Sequence, residues 1–312
     1  EVPAQLAQTD SIALYRKGRT IVQSRLSEQF RLVARSCFDE ANLRCYLTAG
    51  GAFLPGEKVV EVQPESRRLR LRSLDGQVRL LGYQWLVAAD GAASLVRQQV
   101  DPRYRLDGYS LEAKIEPLTQ PSPLRIFYDY IPGGYAWIFP TSIGLGGRLS
   151  DWPAAKAQAG LAALTKHYNL RLLEKPHGAR LPWQGRRVRP AAGHILLTGD
   201  AAGLLDPITG EGIYAALYSG YQAAQVLLML PGTDEGQILS KYRTQLRPLQ
   251  RRFGRAARFK RHFFNDFCFA RLQGHDHIMQ VFCEQLVQHY RGSYLGFFTK
   301  ETLRAARRRL FG

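Results

Sequence analysis

The stretch from residue 194 to 220, HILLTGDAAGLLDPITGEGIYAALYSG, limits the fold more than any other part of the chain. A short unbroken apolar run that stops at an acid, Asp200, suits a strand buried on both faces, as in a parallel sheet. Ala201, Ala202 and Gly203 then carry almost no side chain, so the backbone is open to close approach. Pro207 stiffens the loop, and Gly210 and Gly212 open a helix expected from about Glu211 to Leu230. Small or apolar residues recur in that helix at 213, 216, 217, 220, 224 and 227. A second apolar run ending in an acid and a glycine, WLVAAD followed by Gly91, fits another buried parallel strand.

Two such strands, each followed by a glycine turn, point to ligand binding at the carboxyl ends of a parallel sheet. Asp200 stands where a carboxylate can accept a hydrogen bond from a sugar hydroxyl. The N–H groups and positive dipole end of the following helix favour a ligand that gains negative charge, and a reduced flavin ring is one. Read alone, the same loop could be the cap of an ordinary α/β crossover.

The remaining elements fall around these two strands. SIALYRKGRTIVQSRL reads as a hairpin about Lys17-Gly18, FRLVAR as a short strand, and 37–51 as a helix stopped by Gly50-Gly51. KVVEVQ, RRLRLRSL and QVRLLGY read as antiparallel strands, the last two joined by Asp75-Gly76. Residues 103–185 form a sheet-bearing insert with one helix near 153–166. The expected class is α/β with an α+β insert. Its parts are residues 1–100 and 188–235 as the ligand-binding domain, 101–187 as an antiparallel-sheet substrate domain, and 236–312 as a basic helical region.

Four motifs occur in order and resemble one family. Gly199-Asp200-Ala201-Ala202-Gly203 with Pro207 and Gly210-Glu211-Gly212-Ile213 resembles the second flavin motif of the para-hydroxybenzoate-hydroxylase-like FAD oxidoreductases. LVAADGAASLVR (86–97) resembles their Asp-Gly motif, and Arg35-Ser36-Cys37-Phe38-Asp39 their Arg-x-x-Phe-Asp segment. GYAWIFP (134–140) is similar to the signature of the geranylgeranyl reductase branch. The resemblance implies a partial FAD-binding Rossmann-like, three-layer domain. It implies FAD contacts for Arg35, Asp90, Gly91, Arg97, Gly199, Asp200, Ala201, Pro207, Gly210, Glu211, Gly212 and Ile213, with Arg97 bracing the Asp90 turn. Tyr135, Trp137 and Phe139 would line the substrate wall, although YAWIF can equally be a strand whose rings fill a sheet core. The implied reaction is hydride transfer to an alkene of an isoprenoid or similar lipid-like substrate, with electrons from NAD(P)H or a reduced carrier protein. The catalytic residue is left open, with Tyr135 and Glu211 as candidate proton donors. A monooxygenase or halogenase of the same superfamily is the alternative. A non-catalytic basic protein binding membrane or nucleic acid is the alternative from another class.

The opening Gly-x-Gly-x-x-Gly turn of such proteins is not found, since SIGLGGRL and AGGAFLPG lack its spacing and context. The chain therefore reads as a fragment, expected to bind FAD poorly by itself and to aggregate through exposed strand edges. The net charge is +17, and residues 241–312 hold sixteen Lys and Arg against four Asp and Glu. That region could lie on anionic membrane, or be a helical bundle with a solvated arginine face. Positions 246, 249, 253, 256, 263 and 267 trace its apolar stripe. Phe253, Phe259, Phe263 and Phe264 interleave with the basic residues at helical spacing, which favours core packing over a stacking surface for nucleic acid. Cys37, Cys45, Cys268 and Cys283 show no metal spacing and read as reduced, buried thiols of a cytoplasmic protein. His275-Asp276-His277 are neighbours that would point apart on a helix, so no metal is expected.

Overall fold

The computed structural model describes residues 5–119, 122–128, 130–148, 150, 152–183, 187–229 and 234–263. It divides into two units, one of residues 1–53, 109–179 and 259–312, the other of residues 54–108 and 180–258.

The first unit opens with a long hairpin, β1 (Gln5–Arg16) and β2 (Arg19–Val33). Lys17 and Gly18 both take positive φ, the turn that matches the twist of two flanking strands. The segment FRLVAR is not a separate strand, because its first four residues continue β2. Helix α1 (Arg35–Thr48) follows and buries no residue. The second unit begins with β3 (Lys58–Gln63), β4 (Arg68–Arg72) and β5 (Val78–Gly82), an antiparallel sheet in the order 3-4-5. Strand β6 (Leu86–Ala88) and helix α2 (Leu95–Val100) come next.

The chain then supplies β7 (Gly108–Lys114), β8 (Leu124–Phe127), β9 (Tyr135–Phe139), β10 (Ser142–Arg148), helix α3 (Ala154–His167) and β11 (His177–Leu181). These strands join the hairpin in a seven-stranded sheet of order 11-7-10-9-8-1-2. Alternation decides which face is core. Leu111, Ala113, Ala136, Ile138, Ile143 and Leu145 point the same way and meet Ala157, Leu161 and Leu164 of α3, all nearly inaccessible to solvent. Each large aliphatic side chain sealed there contributes about 1.5–3 kcal/mol.

Strands β12 (Ala191–Ala192) and β13 (Ile195–Leu197) return the chain to the second unit, where β13 pairs parallel with β6. Helices α4 (Ile213–Met229) and α5 (Glu235–Phe263) complete the described residues. The apolar stripe expected in α5 is confirmed at Leu246, Leu249, Phe253 and Ala256, all buried.

Two sequence expectations need correction. Strand β6 is parallel but not fully buried, with Val87 40% exposed on an edge that pairs no other strand among the described residues. Cys37 and Cys45 are free thiols as expected but lie exposed on α1, because that helix has no buried side. The small and apolar residues noted in α4 made no choice of buried side: the buried positions are Ala215, Ser219, Ala223 and Val226, whereas Ile213, Ala216, Leu217 and Ala224 are exposed. A helix with small or apolar residues nearly all round gives periodicity little to choose between. Phe253 is core, which removes it from any stacking surface. Phe264, His275-Asp276-His277, Cys268, Cys283, position 267 and the basic residues at 304–309 lie outside the described residues, as do the side chains of Phe259 and Phe263.

Candidate functional site

In the second unit the ends of β6 and β13 lie side by side. The Thr198 N–H and hydroxyl both donate to the Ala88 carbonyl, at 2.9 and 3.1 Å, extending the parallel pairing by one residue. Beyond that point the two chains turn away, Asp90-Gly91 into α2 and Gly199-Asp200 into a single helical turn. Gly91 has φ +74° and Gly199 has φ +52°, conformations that cost other residues energy.

Arg97 ties the two turns together. It is buried, and its guanidinium donates to the carbonyls of Asp200 (3.2 Å), Ala201 (3.3 Å) and Ala92. It also lies 4.6 Å from the centre of the Tyr104 ring. Burial lowers its pKa from the ordinary arginine value, against the charges of Asp90, Asp101 and Asp200, which favour the cation. The Asp90 carboxylate accepts from the Val96 N–H at 3.2 Å and so caps α2, while the Ser94 hydroxyl accepts from the Arg97 N–H at 2.8 Å.

The loop from Gly203 to Gly212 is organised by a residue the sequence reading passed over. Asp206 is fully buried, and its Oδ1 accepts from the N–H groups of Ile208 (2.8 Å) and Thr209 (3.2 Å). Its own N–H reaches the Glu211 carbonyl, and its carbonyl receives the Gly210 N–H. The clue available in the sequence was an aspartate directly before a proline in a turn, a residue that bonds its own backbone two positions on. Ser219 was also passed over. From inside α4 its hydroxyl accepts the Gly199 N–H at 2.8 Å and fastens the helix to the strand end. Nothing local marks that serine, since its partner is twenty residues away.

Glu211 Oε1 accepts the Tyr214 N–H at 2.8 Å, which caps α4. The N–H groups of Gly212 and Ile213 have no partner among the described residues. A Cβ at Gly212 would come within 3.2 Å of Asp200 Oδ1 and Leu205 Cδ1, so the loop passes close to Asp200 and a larger residue would have to push those side chains aside. The result is a strip of nearly bare backbone with two free donors at the positive end of a 17-residue helix. That strip suits a flat ligand with acceptor oxygens, such as a flavin.

The structure therefore brings together Asp90, Gly91, Arg97, Gly199, Asp200, Ala201, Pro207, Gly210, Glu211, Gly212 and Ile213 within one unit. Arg35 and the three aromatics belong to the other unit. Arg35 pairs with Asp39 at 2.8 Å on the exposed helix α1. Tyr135, Trp137 and Phe139 share the face of β9 opposite the α3 core and are each half-buried. Tyr135 and Trp137 stand 5.7 Å apart and Trp137 and Phe139 6.2 Å apart, centre to centre. Across the ladder Trp137 faces Gly144, and a Cβ there would overlap the indole. Glycine is thus what lets the ring lie flat on the sheet. Among the described residues no cluster of three or more His, Cys, Asp or Glu side chains could hold a metal.

Open parallel-strand ends, two glycine turns joined by a buried arginine and a nearby helix N-terminus place the chain in the fold class of the solved flavoproteins that it matches. In sequence it is similar to several curated reductases of isoprenoid compounds. It is 32% identical over 178 residues to a digeranylgeranylglycerophospholipid reductase of Methanocella arvoryzae, covering 52% of this chain and 45% of that one. It is 30% identical over 221 residues to a menaquinone reductase of Mycobacterium tuberculosis, covering 62% and 53% respectively. The solved structure of a geranylgeranyl bacteriochlorophyll reductase-like protein from Thermoplasma acidophilum superposes with a TM-score of 0.76 at 19% identity, covering 95% of this chain and 79% of that one. No family model matches the chain. The chain spans about half the length of the curated relatives it matches.

Proposed function

We propose that the protein containing this chain reduces carbon–carbon double bonds of an isoprenoid or similar lipid-like substrate, using FAD. The observation that carries the reading is the joining of the two glycine turns by Arg97, beside a loop that leaves the Gly212 and Ile213 N–H groups free. When bound, FAD supplies hydride chemistry that no side chain can perform. The residues of this chain bind, orient and shield. Arg97 fixes the Asp90 and Asp200 turns at one spacing. The free donors at the start of α4 stabilise negative charge on a bound ring. Asp200, half-buried, is the proposed acceptor for a ribityl or ribose hydroxyl. Tyr135, Trp137 and Phe139 offer an apolar face to a prenyl chain and exclude water there. Glu211 and the Tyr135 hydroxyl are the candidates to hold the proton that completes alkene reduction. Glu211 already caps α4 through the Tyr214 N–H.

The electrons are proposed to come from NAD(P)H or a reduced carrier protein, and the protein to act in the cytoplasm or at a membrane surface. No described helix is long and apolar enough to cross a membrane. The test is anaerobic turnover of the full-length protein, with FAD and a chemical reductant, on a geranylgeranyl lipid. A product that gains a pair of hydrogens at each reduced double bond supports the reading. A product carrying inserted oxygen or halogen under air, with no reduction under nitrogen, would overturn it in favour of a monooxygenase or halogenase.

A further inference from the structure

The antiparallel sheet β3–β4–β5 has two unlike faces. One is core, with Val62, Leu69 and Leu71 no more than 7% exposed. The register sets three rows on the other face, Lys58–Arg72–Val78, Glu61–Arg70–Leu80 and Gln63–Arg68–Gly82. Arg70 is neutralised by Glu61 at 3.0 Å. Lys58, Arg68 and Arg72 have no acidic partner among the described residues. Lys58 and Arg72 stand directly opposite each other, a like-charge pair that destabilises a sheet unless an anion lies over it.

The same face carries apolar side chains that folding has not covered. Val78 is 50% exposed and Leu80 51%. At the tip of the β4–β5 hairpin Leu74 is 92% exposed and has Gly56 beneath it. The acid of that tip, Asp75, is exposed, and its carboxylate is engaged locally, accepting from the Ser73 hydroxyl and, at 3.3 Å, from the Gln77 N–H. The acid in the opposite turn, Glu65, is exposed at the far end of the sheet.

We propose that this face docks on an anionic lipid surface. Lys58, Arg68 and Arg72 meet the phosphates, and Leu74, Val78 and Leu80 reach the boundary of the acyl chains. A nucleic-acid backbone would satisfy the cations but offer nothing to three aliphatic side chains, and the face presents no aromatic ring for bases. The proposal is independent of the reaction proposed above, and it places the contact on the sheet instead of on the basic C-terminal region.

The test is co-sedimentation of the full-length protein that contains this chain with vesicles of phosphatidylcholine alone, or with about one third phosphatidylglycerol. Binding is expected only to the anionic vesicles, weakened but not abolished by salt. Each basic side chain near such a surface contributes about fivefold, so the double variant K58Q/R72Q should bind about 25-fold more weakly. Leu74→Ser should lose roughly tenfold, and that loss should persist in high salt because it is apolar. All three positions are exposed, and K58Q/R72Q removes a like-charge pair, so the thermal midpoint should not fall. R251Q, on the solvent side of α5, should bind as the parent does. Three results would overturn the proposal: no preference for anionic vesicles, a loss in R251Q equal to that in K58Q/R72Q, or duplex DNA displacing the vesicles while Leu74→Ser binds normally.

Discussion

Replacing Arg97 by Met keeps the aliphatic stem and deletes the guanidinium. The side chain is 5% exposed and makes three hydrogen bonds to carbonyls, those of Ala92, Asp200 and Ala201. A bond from a charged donor contributes about 1.5–3 kcal/mol, so the gross loss is roughly 4–9 kcal/mol. Removing a buried cation returns several kcal/mol of desolvation, the effect that lowers its pKa in the fold. The net cost should be about 3 kcal/mol, which for the unit that holds it is a fall of roughly 6–12 °C in Tm. Arg97→Lys preserves the charge, but a single ammonium cannot reach both Ala92 and the Asp200–Ala201 pair, so it should cost about 2 kcal/mol. Urea denaturation followed by far-ultraviolet circular dichroism measures stability, and flavin fluorescence quenching measures FAD affinity in the full-length protein. Both variants should lose FAD binding. A loss below about 1 kcal/mol in Arg97→Met would show that strand pairing alone holds the turns, since even one orphaned carbonyl should cost that much. Full stability in Arg97→Lys would show that charge, and not fork geometry, is what matters.

Three further outcomes are expected. Ser219→Ala removes the acceptor of the Gly199 N–H and should cost about 1–3 kcal/mol in chemical denaturation, because a buried donor is left unpaired. Gly144→Ala forces a Cβ into the Trp137 ring and should cost about 1–3 kcal/mol. It should also shift tryptophan emission and weaken turnover of apolar substrates, and unchanged emission would refute the packing described. Tyr242 is buried and donates to the Leu197 carbonyl at 2.6 Å, and burial raises its pKa well above the ordinary phenol value. Its folded pKa lies above its unfolded one, so its contribution is complete below about pH 10 and is lost as pH rises beyond that. Stability should therefore fall by up to about 1.4 kcal/mol per pH unit in alkali, and Tyr242→Phe should flatten that slope.

Much of the fold was legible because it rests on short-range rules. Lys17-Gly18 marked a hairpin, and residues 103–185 were legible as a sheet-bearing insert. The spacing of Leu246, Leu249, Phe253 and Ala256 marked the buried side of α5. The glycine turns after Ala88 and Leu197 were visible because two apolar runs stop at acids. Those signals span a few residues, and the backbone answers to them directly.

What tertiary structure alone decided lies at longer range. Arg97 was visible as a basic residue after a turn, but its carbonyl partners at 200 and 201 are more than a hundred residues away. The buried side of α4 was set by what packs on it, because its small residues leave periodicity undecided. Asp206 and Ser219 look like ordinary loop and helix residues until the chain closes on them. The outward rows of the β3–β4–β5 sheet depend on a register shift between Val59 and Glu61, which sets Lys58 and Glu61 on one face. A one-residue change of register reverses every side chain, and no local propensity contains that choice. The sequence by itself therefore determined the elements and the chemistry of the loops. Packing determined which groups meet, because hydrogen bonds and buried faces are settled between segments that have no means of specifying each other along the chain.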